Sequence, residues 1–148
     1  MNTKDFLHGI TAPAFAAALF ASCASGGASV KYTVAHNYFV NRNAAIPQDM
    51  KIQSQKEFDR CFGMAATMGK DGKPTEIDFA KSFVIAKVMH VTDTLTEISP
   101  LSLKKAANGS LVLKSAVKTG EKTSYFMQPF YIIIVDRKYA GCKITESE

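Results

Sequence analysis

The sequence predicts an α+β domain in which one main helix packs on a mostly antiparallel, twisted sheet of about five or six strands. Three observations support this prediction: a capping signal before an apolar stripe of helical spacing, two long apolar runs, and an Asn-Gly turn between candidate strands. Neither a second linker nor an internal repeat divides the 148 residues, so we expect a single domain.

The first half of the domain is predicted to be a strand followed by the helix. Residues 30–40 alternate, and the side chains on one face of this strand would be Tyr32, Val34, His36, Tyr38 and Val40. Ser54 and Glu57 have capping-box spacing, so the helix should begin after Ser54. Gly63 and Gly69 limit it to about three turns. Its apolar stripe consists of Phe58, Cys61, Phe62 and Ala65.

The second half is predicted to consist of strands. Residues 83–91 are almost continuously apolar, as in a central strand covered on both faces. Residues 94–103 and 111–117 should pair as a hairpin, because Asn108 and Gly109 between them form a strong turn signal. The very hydrophobic residues 125–135 should form another central strand, with Pro129 tolerated only at its start.

Composition places the chain among ordinary globular proteins. It is 47% hydrophobic and 21% charged, which excludes general disorder, and its nine Gly and five Pro exclude a collagen-like architecture. The net charge of +5 would persist without residues 1–22, since they hold one Lys and one Asp. We expect four segments: a leader at 1–22, a flexible tether at 23–29, a single domain at 30–140 and a polar tail at 141–148.

The leader predicts export and lipidation. Its uncharged, mostly apolar stretch of 13 residues, 10–22, is too short to span the roughly 30 Å hydrocarbon core, so it is typical of a signal peptide. Small residues precede Cys23 as in a bacterial lipobox, although Phe20 replaces the usual aliphatic residue. We therefore expect an acylated Cys23 and a cell-envelope location, periplasm-facing because no acidic run follows Cys23. The alternatives are an ordinary signal peptide and an N-terminal core helix.

Two cysteines would remain beside an acylated Cys23. Cys61 and Cys142 could form a disulfide that closes a loop of about 80 residues and contributes about 4 kcal/mol. The alternative is a pair of reduced cysteines, with Cys61 on the apolar face of the helix and Cys142 in the polar tail. The sequence leaves both interpretations open.

A Lys-rich hairpin with nearby aromatic residues is the candidate binding surface. Lysines cluster in and beside the predicted hairpin, and a tyrosine exposed next to them could anchor a protein partner. The alternative is a solvated hairpin whose lysines discourage edge pairing. The candidate partner-binding residues are Lys104, Lys105, Lys114, Lys118, Tyr125 and Tyr131, with Lys122 nearby.

The sequence does not predict an enzyme. Cys61 could in principle pair with His36 or His90 as nucleophile and base, but Cys61 lies on the apolar face of the helix and His90 in a buried-strand pattern. The dispersed His and Cys residues also lack the spacing of a metal site. Nucleotide-binding, metalloprotease and hydrolase motifs do not occur, so we expect no cofactor. Patterns typical of nucleic-acid binding are also missing, and nucleic acid is not an expected partner.

Three segments together resemble the C-terminal domain of the protease-complex (PrcB-like) lipoproteins of host-associated, Bacteroidetes-type bacteria. They are a helix of type S-x-x-E-F within residues 52–62, an Asp-Phe pair before the buried strand within 77–88, and a Gln-Pro pair before the last strand within 128–135. The resemblance covers roughly residues 50–138 and implies an accessory subunit that associates with an exported protease and aids its stability or maturation. It carries no catalytic residues.

A shorter similarity concerns Thr94. Asp93-Thr94-Leu95 is similar to the acceptor for O-glycosylation in exported Bacteroidetes proteins, so Thr94 is a candidate for that modification. Taken together, these features predict a non-catalytic envelope lipoprotein that binds another envelope or secreted protein. The alternative is a module that binds anionic lipid or glycan through the Lys-rich hairpin.

Overall fold

Strands dominate the protein. The computed structural model describes residues 27–148, and strands make up 52% and helices 8% of them. The prediction of one main helix on a sheet of five or six strands is therefore wrong: the described residues form ten strands in three sheets with one short α-helix. The predicted leader and the acylated Cys23 lie outside the described residues.

The elements follow one another in a simple order. They are β1 (Ala28–Ser29), β2 (Tyr32–Ala35), β3 (Tyr38–Val40), β4 (Lys51–Ile52), α1 (Gln55–Cys61), β5 (Phe62–Met64), β6 (Ser82–Val88), β7 (Thr92–Lys105), β8 (Leu111–Met127), β9 (Phe130–Asp136), a 3-10 turn (Arg137–Tyr139) and β10 (Ile144–Ser147). Sheet A has the order β1-β7-β8-β10, sheet B has β2-β9-β6-β4, and β3 pairs with β5 in sheet C. All neighbouring strands are antiparallel except β8 and β10.

One long two-stranded ribbon forms the centre of both large sheets. The β6–β9 pair ends at Val88 and Phe130, and the Met89 N–H donates to the Pro129 carbonyl at 2.8 Å. Both strands of the ribbon then continue as the β7–β8 pair, which starts at Thr92 opposite Met127. Because residues of β7 and β8 pack in one core with residues of β6 and β9, the ribbon folds back and sheet A covers sheet B.

Sheet B is buried on both faces. Alternate residues of β6 and β9 belong to two different cores, as the period of two in a strand requires. Phe83, Ile85, Ile133 and Val135 pack against Leu103, Leu111 and Leu113 of sheet A. On the other face, Val84, Ala86 and Ile132 pack against Phe58, Cys61 and Phe62. The predicted two-sided coverage is confirmed for residues 83–86, whereas the strand ends at Val88 and Val91 is 60% exposed.

The helix begins where the capping box predicts and ends early. The Ser54 side chain accepts a hydrogen bond from the Glu57 N–H at 3.3 Å, and Glu57 Oε2 accepts one from the Gln53 N–H at 3.0 Å. The helix has two turns instead of three because Phe62 is already extended and starts β5, which pairs with β3. Phe62 is still buried, so the apolar stripe continues from helix into strand.

The predicted strand at residues 30–40 is divided. Asn37 adopts a left-handed backbone conformation with φ of 62°, which separates β2 from β3. As a result Tyr32 and Val34 pack on the core between the large sheets, whereas Tyr38 and Val40 pack on the helix-side core. Asparagine tolerates this conformation better than most residues because its short polar side chain forms local hydrogen bonds.

The domain extends further at both ends than the sequence predicts. Ala28 and Ser29, assigned to the tether, pair with β7. Ile144–Ser147, assigned to the polar tail, forms β10, and the Ile144 side chain is buried in the core between the large sheets. Parallel pairing with β8 is a long-range contact that leaves no local signal in such a short polar segment.

Truncation of adjacent residues in β9 tests the two-sided core. Ile132→Ala and Ile133→Ala each should lower the free energy of unfolding by about 2–5 kcal/mol, since both side chains are fully buried on opposite faces. Val117→Ala, at a side chain 50% exposed, is the control and should cost less than about 1 kcal/mol. Urea denaturation measures all three, and a cost near the control value for either isoleucine would show that its face is not covered.

Candidate protein-binding surface

The end of the β7–β8 ribbon is irregular. From Thr92 to Thr94, β7 advances two residues while β8 advances five, from Met127 to Lys122. From Thr94 to Thr96, β7 advances two residues while β8 advances three. Such bulges bend a strand and increase its twist, which suits the place where the ribbon reverses direction. We call residues 91–95 and 120–126 the ribbon tip; they form the end of the β7–β8 pair that joins β6 and β9, opposite to the Asn108-Gly109 turn.

The ribbon tip exposes a set of large apolar side chains. Phe126 is 77% and Tyr125 56% exposed, although consecutive residues of a regular strand point to opposite faces. On the facing side of the ribbon tip, Val91 just before β7 is 60% exposed and Leu95 in β7 is 43% exposed. Isolated exposed apolar residues are common, but several on one short segment are typical of interaction sites.

Hydrogen bonds and an ion pair fix the conformation of the ribbon tip. The Thr123 hydroxyl lies 2.8 Å from the Asp93 carbonyl and 2.6 Å from the Tyr125 carbonyl, so its single proton can be donated to either. Lys122 Nζ lies 3.0 Å from Asp93 Oδ2. The two contacts to Asp93 join β7 to β8, and the contact to the Tyr125 carbonyl closes the bulge within β8. The aromatic side chains therefore project from a hydrogen-bonded backbone.

Of the two predicted tyrosines, the structure leaves one accessible. Tyr125 lies in the ribbon tip, whereas Tyr131 is 5% exposed and shares a hydrogen bond of 2.7 Å with the Ser115 hydroxyl. Burial raises the pKa of Tyr131, the Ser115 hydrogen bond lowers it, and Glu146 raises it again. Tyr131 is therefore a core residue. The sequence analysis missed Phe126 because strict alternation does not anticipate a bulge.

The structure spreads the predicted lysine cluster along the β7–β8 pair. Lys104 pairs with Val112 near the Asn108-Gly109 turn, whereas Lys118 pairs with Glu97 toward the ribbon tip. These positions are about 20 Å apart at 3.3 Å per residue. Between them, Lys114 Nζ donates to the Glu148 main-chain oxygen at 2.8 Å. Lys105 lies at the turn end beside Lys104, so the five lysines do not form one compact patch.

Thr94 lies between the first two of the three register shifts of β7. Its N–H donates to the Thr92 hydroxyl at 3.1 Å, and its carbonyl accepts from the Thr96 hydroxyl at 2.9 Å. The Thr94 residue is half-buried. Its modification by a sugar stays a prediction.

The two described cysteines are free and lie on different sides of sheet B. Cys61 belongs to the helix-side core and its thiol donates to the Ala45 carbonyl at 3.5 Å, whereas Cys142 packs against the core between the large sheets. The proposed disulfide is therefore not formed. Burial raises the pKa of the Cys61 thiol and Glu57 raises it further, which disfavours the reactive thiolate.

A groove of about 830 Å³ lies beside α1. Tyr38, Phe58 and Phe62 line it, and the Tyr38 hydroxyl donates to the Thr75 carbonyl at 2.6 Å. Burial raises the pKa of Tyr38, and the carboxylates of Asp59 and Glu76 raise it further. The phenol therefore stays protonated and acts as a structural donor to the loop that borders the groove.

Residues 27–148 contain neither a metal-ligand cluster nor a membrane-spanning helix. This part of the chain contains no group of three or more His, Cys, Asp or Glu side chains arranged to hold a metal ion. The helices described here are also too short and too polar to cross a lipid bilayer.

Comparison with known proteins gave no relatives: no family model, no curated protein and no solved structure matches the chain. The resemblance to the protease-complex lipoproteins therefore rests on its three sequence segments. In the structure these segments contribute the helix α1 and the central strands β6 and β9. They belong to the framework around sheet B, and the ribbon tip lies in the hairpin between the second and third segments.

Replacement of Tyr131 tests its assignment as a core residue. Tyr131→Phe should lower the free energy of unfolding at neutral pH by about 1 kcal/mol, because the Ser115 hydroxyl loses its partner. The raised pKa of Tyr131 means that the folded state holds this proton more tightly, so this tyrosine destabilises the fold as pH rises above about 10. The cost of Tyr131→Phe should therefore shrink in alkaline solution.

Ser115→Ala is the matched control for this measurement. It removes the same hydrogen bond but keeps the phenol, and it removes the contact that lowers the pKa of Tyr131. The alkaline loss of stability should then persist, unlike in Tyr131→Phe. Denaturation curves across neutral and alkaline pH compare the two, and identical pH dependence in both variants would contradict the assignment.

Proposed function

We propose that the protein is a non-catalytic, lipid-anchored accessory module of the bacterial cell envelope that binds another exported protein through the ribbon tip. The observation that carries this proposal is the pair of exposed aromatic residues, Tyr125 and Phe126, in a bulge fixed by hydrogen bonds. Aromatic side chains dominate the binding energy of many protein interfaces.

The order of the ribbon tip supports protein binding. A partner that contacts Tyr125 and Phe126 loses little entropy by fixing them, since the backbone is already held across the bulge by Thr123 and Lys122. Charged residues lie beside the apolar group on both strands, which matches the usual arrangement of an apolar centre and a polar rim. They are Asp93, Glu97, Lys118, Glu121 and Lys122.

The class of partner and the anchoring follow from the sequence. The resemblance to the protease-complex lipoproteins favours an exported protease, whose stability or maturation the module would support. The apolar leader and the small residues before Cys23 favour acylation of that cysteine and a periplasm-facing anchor. The alternative, in which the whole Lys-rich hairpin binds anionic lipid or glycan, is less favoured because its lysines are spread along the hairpin and do not form one compact patch.

Capture of the partner from an envelope extract tests the proposed surface. The tagged wild-type protein should recover one protein stoichiometrically, an exported protease by our expectation. The double variant Tyr125→Ser/Phe126→Ser should lose at least about 30-fold in affinity, because one interface aromatic commonly contributes 2 kcal/mol or more. Quantitative mass spectrometry of the recovered proteins provides the measurement.

Leu101→Ser is the matched control, because Leu101 is 55% exposed on the same ribbon but lies outside the ribbon tip. It should retain the partner, and circular dichroism should show that all variants fold. Equal loss in both variants, or recovery of background proteins alone by the wild type, would refute the proposal. Recovery of a partner that is not a protease would refute the partner class and leave the surface intact.

A further inference from the structure

The first described residues lie at the end of sheet A that carries two adjacent lysines. β1 pairs Ala28 with Lys105 and Ser29 with Lys104. A Cβ on Gly27 would lie 1.6 Å from the Lys105 carbonyl oxygen, so the two backbones are in close contact. The segment that connects to Cys23 therefore joins the domain beside Lys104 and Lys105.

Two further lysines lie at the same end. Lys105 Nζ is 5.9 Å and Lys138 Nζ 5.1 Å from the centre of the Tyr139 ring, so one aromatic side chain attracts both ammonium groups. The Lys143 carbonyl accepts a hydrogen bond of 2.7 Å from the N–H of Leu111, which pairs with Lys105. We call these four residues the tether-end lysines: Lys104, Lys105, Lys138 and Lys143.

The tether-end lysines carry charge that the rest of the described chain does not neutralise. All four are exposed, and none forms a salt bridge within residues 27–148. Lys51 differs from them, since its Nζ donates to the carbonyls of Ala140 and Cys142 at 2.7 Å. Asp136 is a nearby carboxylate, and its Oδ1 accepts from the Lys138 N–H at 2.9 Å. This end of the domain therefore presents a positive surface.

We propose that the tether-end lysines bind anionic phospholipid headgroups and hold this end of the domain against the membrane. The inference rests on the proposed anchoring through Cys23. The four residue steps from Cys23 to Gly27 span at most about 14 Å when extended. An acylated Cys23 would thus keep the lysines close to the surface, where the attraction of anionic lipid is not fully screened by salt.

Vesicle binding by the mature chain, residues 23–148 carrying Cys23→Ser, tests the lysines without the apolar leader and without an acyl anchor. At low salt this parent should bind vesicles of phosphatidylcholine with phosphatidylglycerol and not vesicles of phosphatidylcholine alone. Replacing all four tether-end lysines with glutamine should weaken binding at least about 100-fold, since each lysine near an anionic surface contributes roughly fivefold. Sedimentation of the vesicles measures the bound fraction.

A second variant with the same net charge is the matched control. It replaces four exposed cationic residues outside both proposed surfaces with glutamine and should weaken binding by no more than about threefold: Lys56, Arg60, Lys70 and Lys73. Equal losses in the two variants, or equal binding of the parent to both kinds of vesicle, would overturn the proposal. If the variant with four substitutions does not fold, the double variant Lys104→Gln/Lys143→Gln replaces it. This variant keeps the contacts of Lys105 and Lys138 with Tyr139, and its affinity for the anionic vesicles should fall about 25-fold.

A separate measurement distinguishes failure of the headgroup contact from failure of the anchor. The mass of the mature wild-type protein reports whether Cys23 carries acyl chains, independently of the vesicle assay. An unmodified Cys23 would refute the proposed anchoring, whereas loss of lysine-dependent vesicle binding would refute the headgroup contact. The tether-end variant should also capture the protein partner as well as the wild type, because its substitutions lie outside the ribbon tip.

Discussion

Burial of the β6–β9 pair on both faces is the constraint on which the rest of the structure depends. Six residues of these strands are fully buried, and neighbours along the chain point to opposite sides: Phe83, Val84, Ile85, Ala86, Ile132 and Ile133. Leaving either face in water would expose several large apolar side chains, each worth about 1.5–3 kcal/mol when buried. The short helix with sheet C covers one face, and the folded-back hairpin of sheet A covers the other.

Sheet A covers sheet B, although its strands β7 and β8 continue directly from β6 and β9. This connection explains the shape of the ribbon tip. β7 and β8 are 14 and 17 residues long, and they must reverse direction relative to β6 and β9 to reach the core. The additional residues of β8 accommodate this bend. Because the strand is irregular there, Tyr125 and Phe126 do not alternate between the two faces of the sheet, and both are exposed. The exposed aromatic pair is thus a consequence of how the two sheets are connected.

Local signals in the sequence predicted local structure, and long-range pairing decided the remainder. The capping box at Ser54 and the two-sided burial of Phe83–Ala86 follow from short-range spacing, and the structure confirms both. The early end of the helix depends on pairing of Phe62 with Val40, and the position of Tyr125 depends on a bulge. Neither the partner of a strand nor the register of a long hairpin is encoded in a window of neighbouring residues.

The two proposed surfaces lie at opposite ends of one strand. β7 runs from the ribbon tip to the tether-end lysines, and the ten residue steps from Leu95 to Lys105 correspond to about 30 Å. A domain held at the membrane by Lys104 and Lys105 would direct Tyr125 and Phe126 away from the lipid. This orientation also keeps the apolar ribbon tip from inserting into the bilayer, so that its aromatic residues stay accessible to a protein partner. The strand that completes the core would therefore also set the distance between membrane and partner.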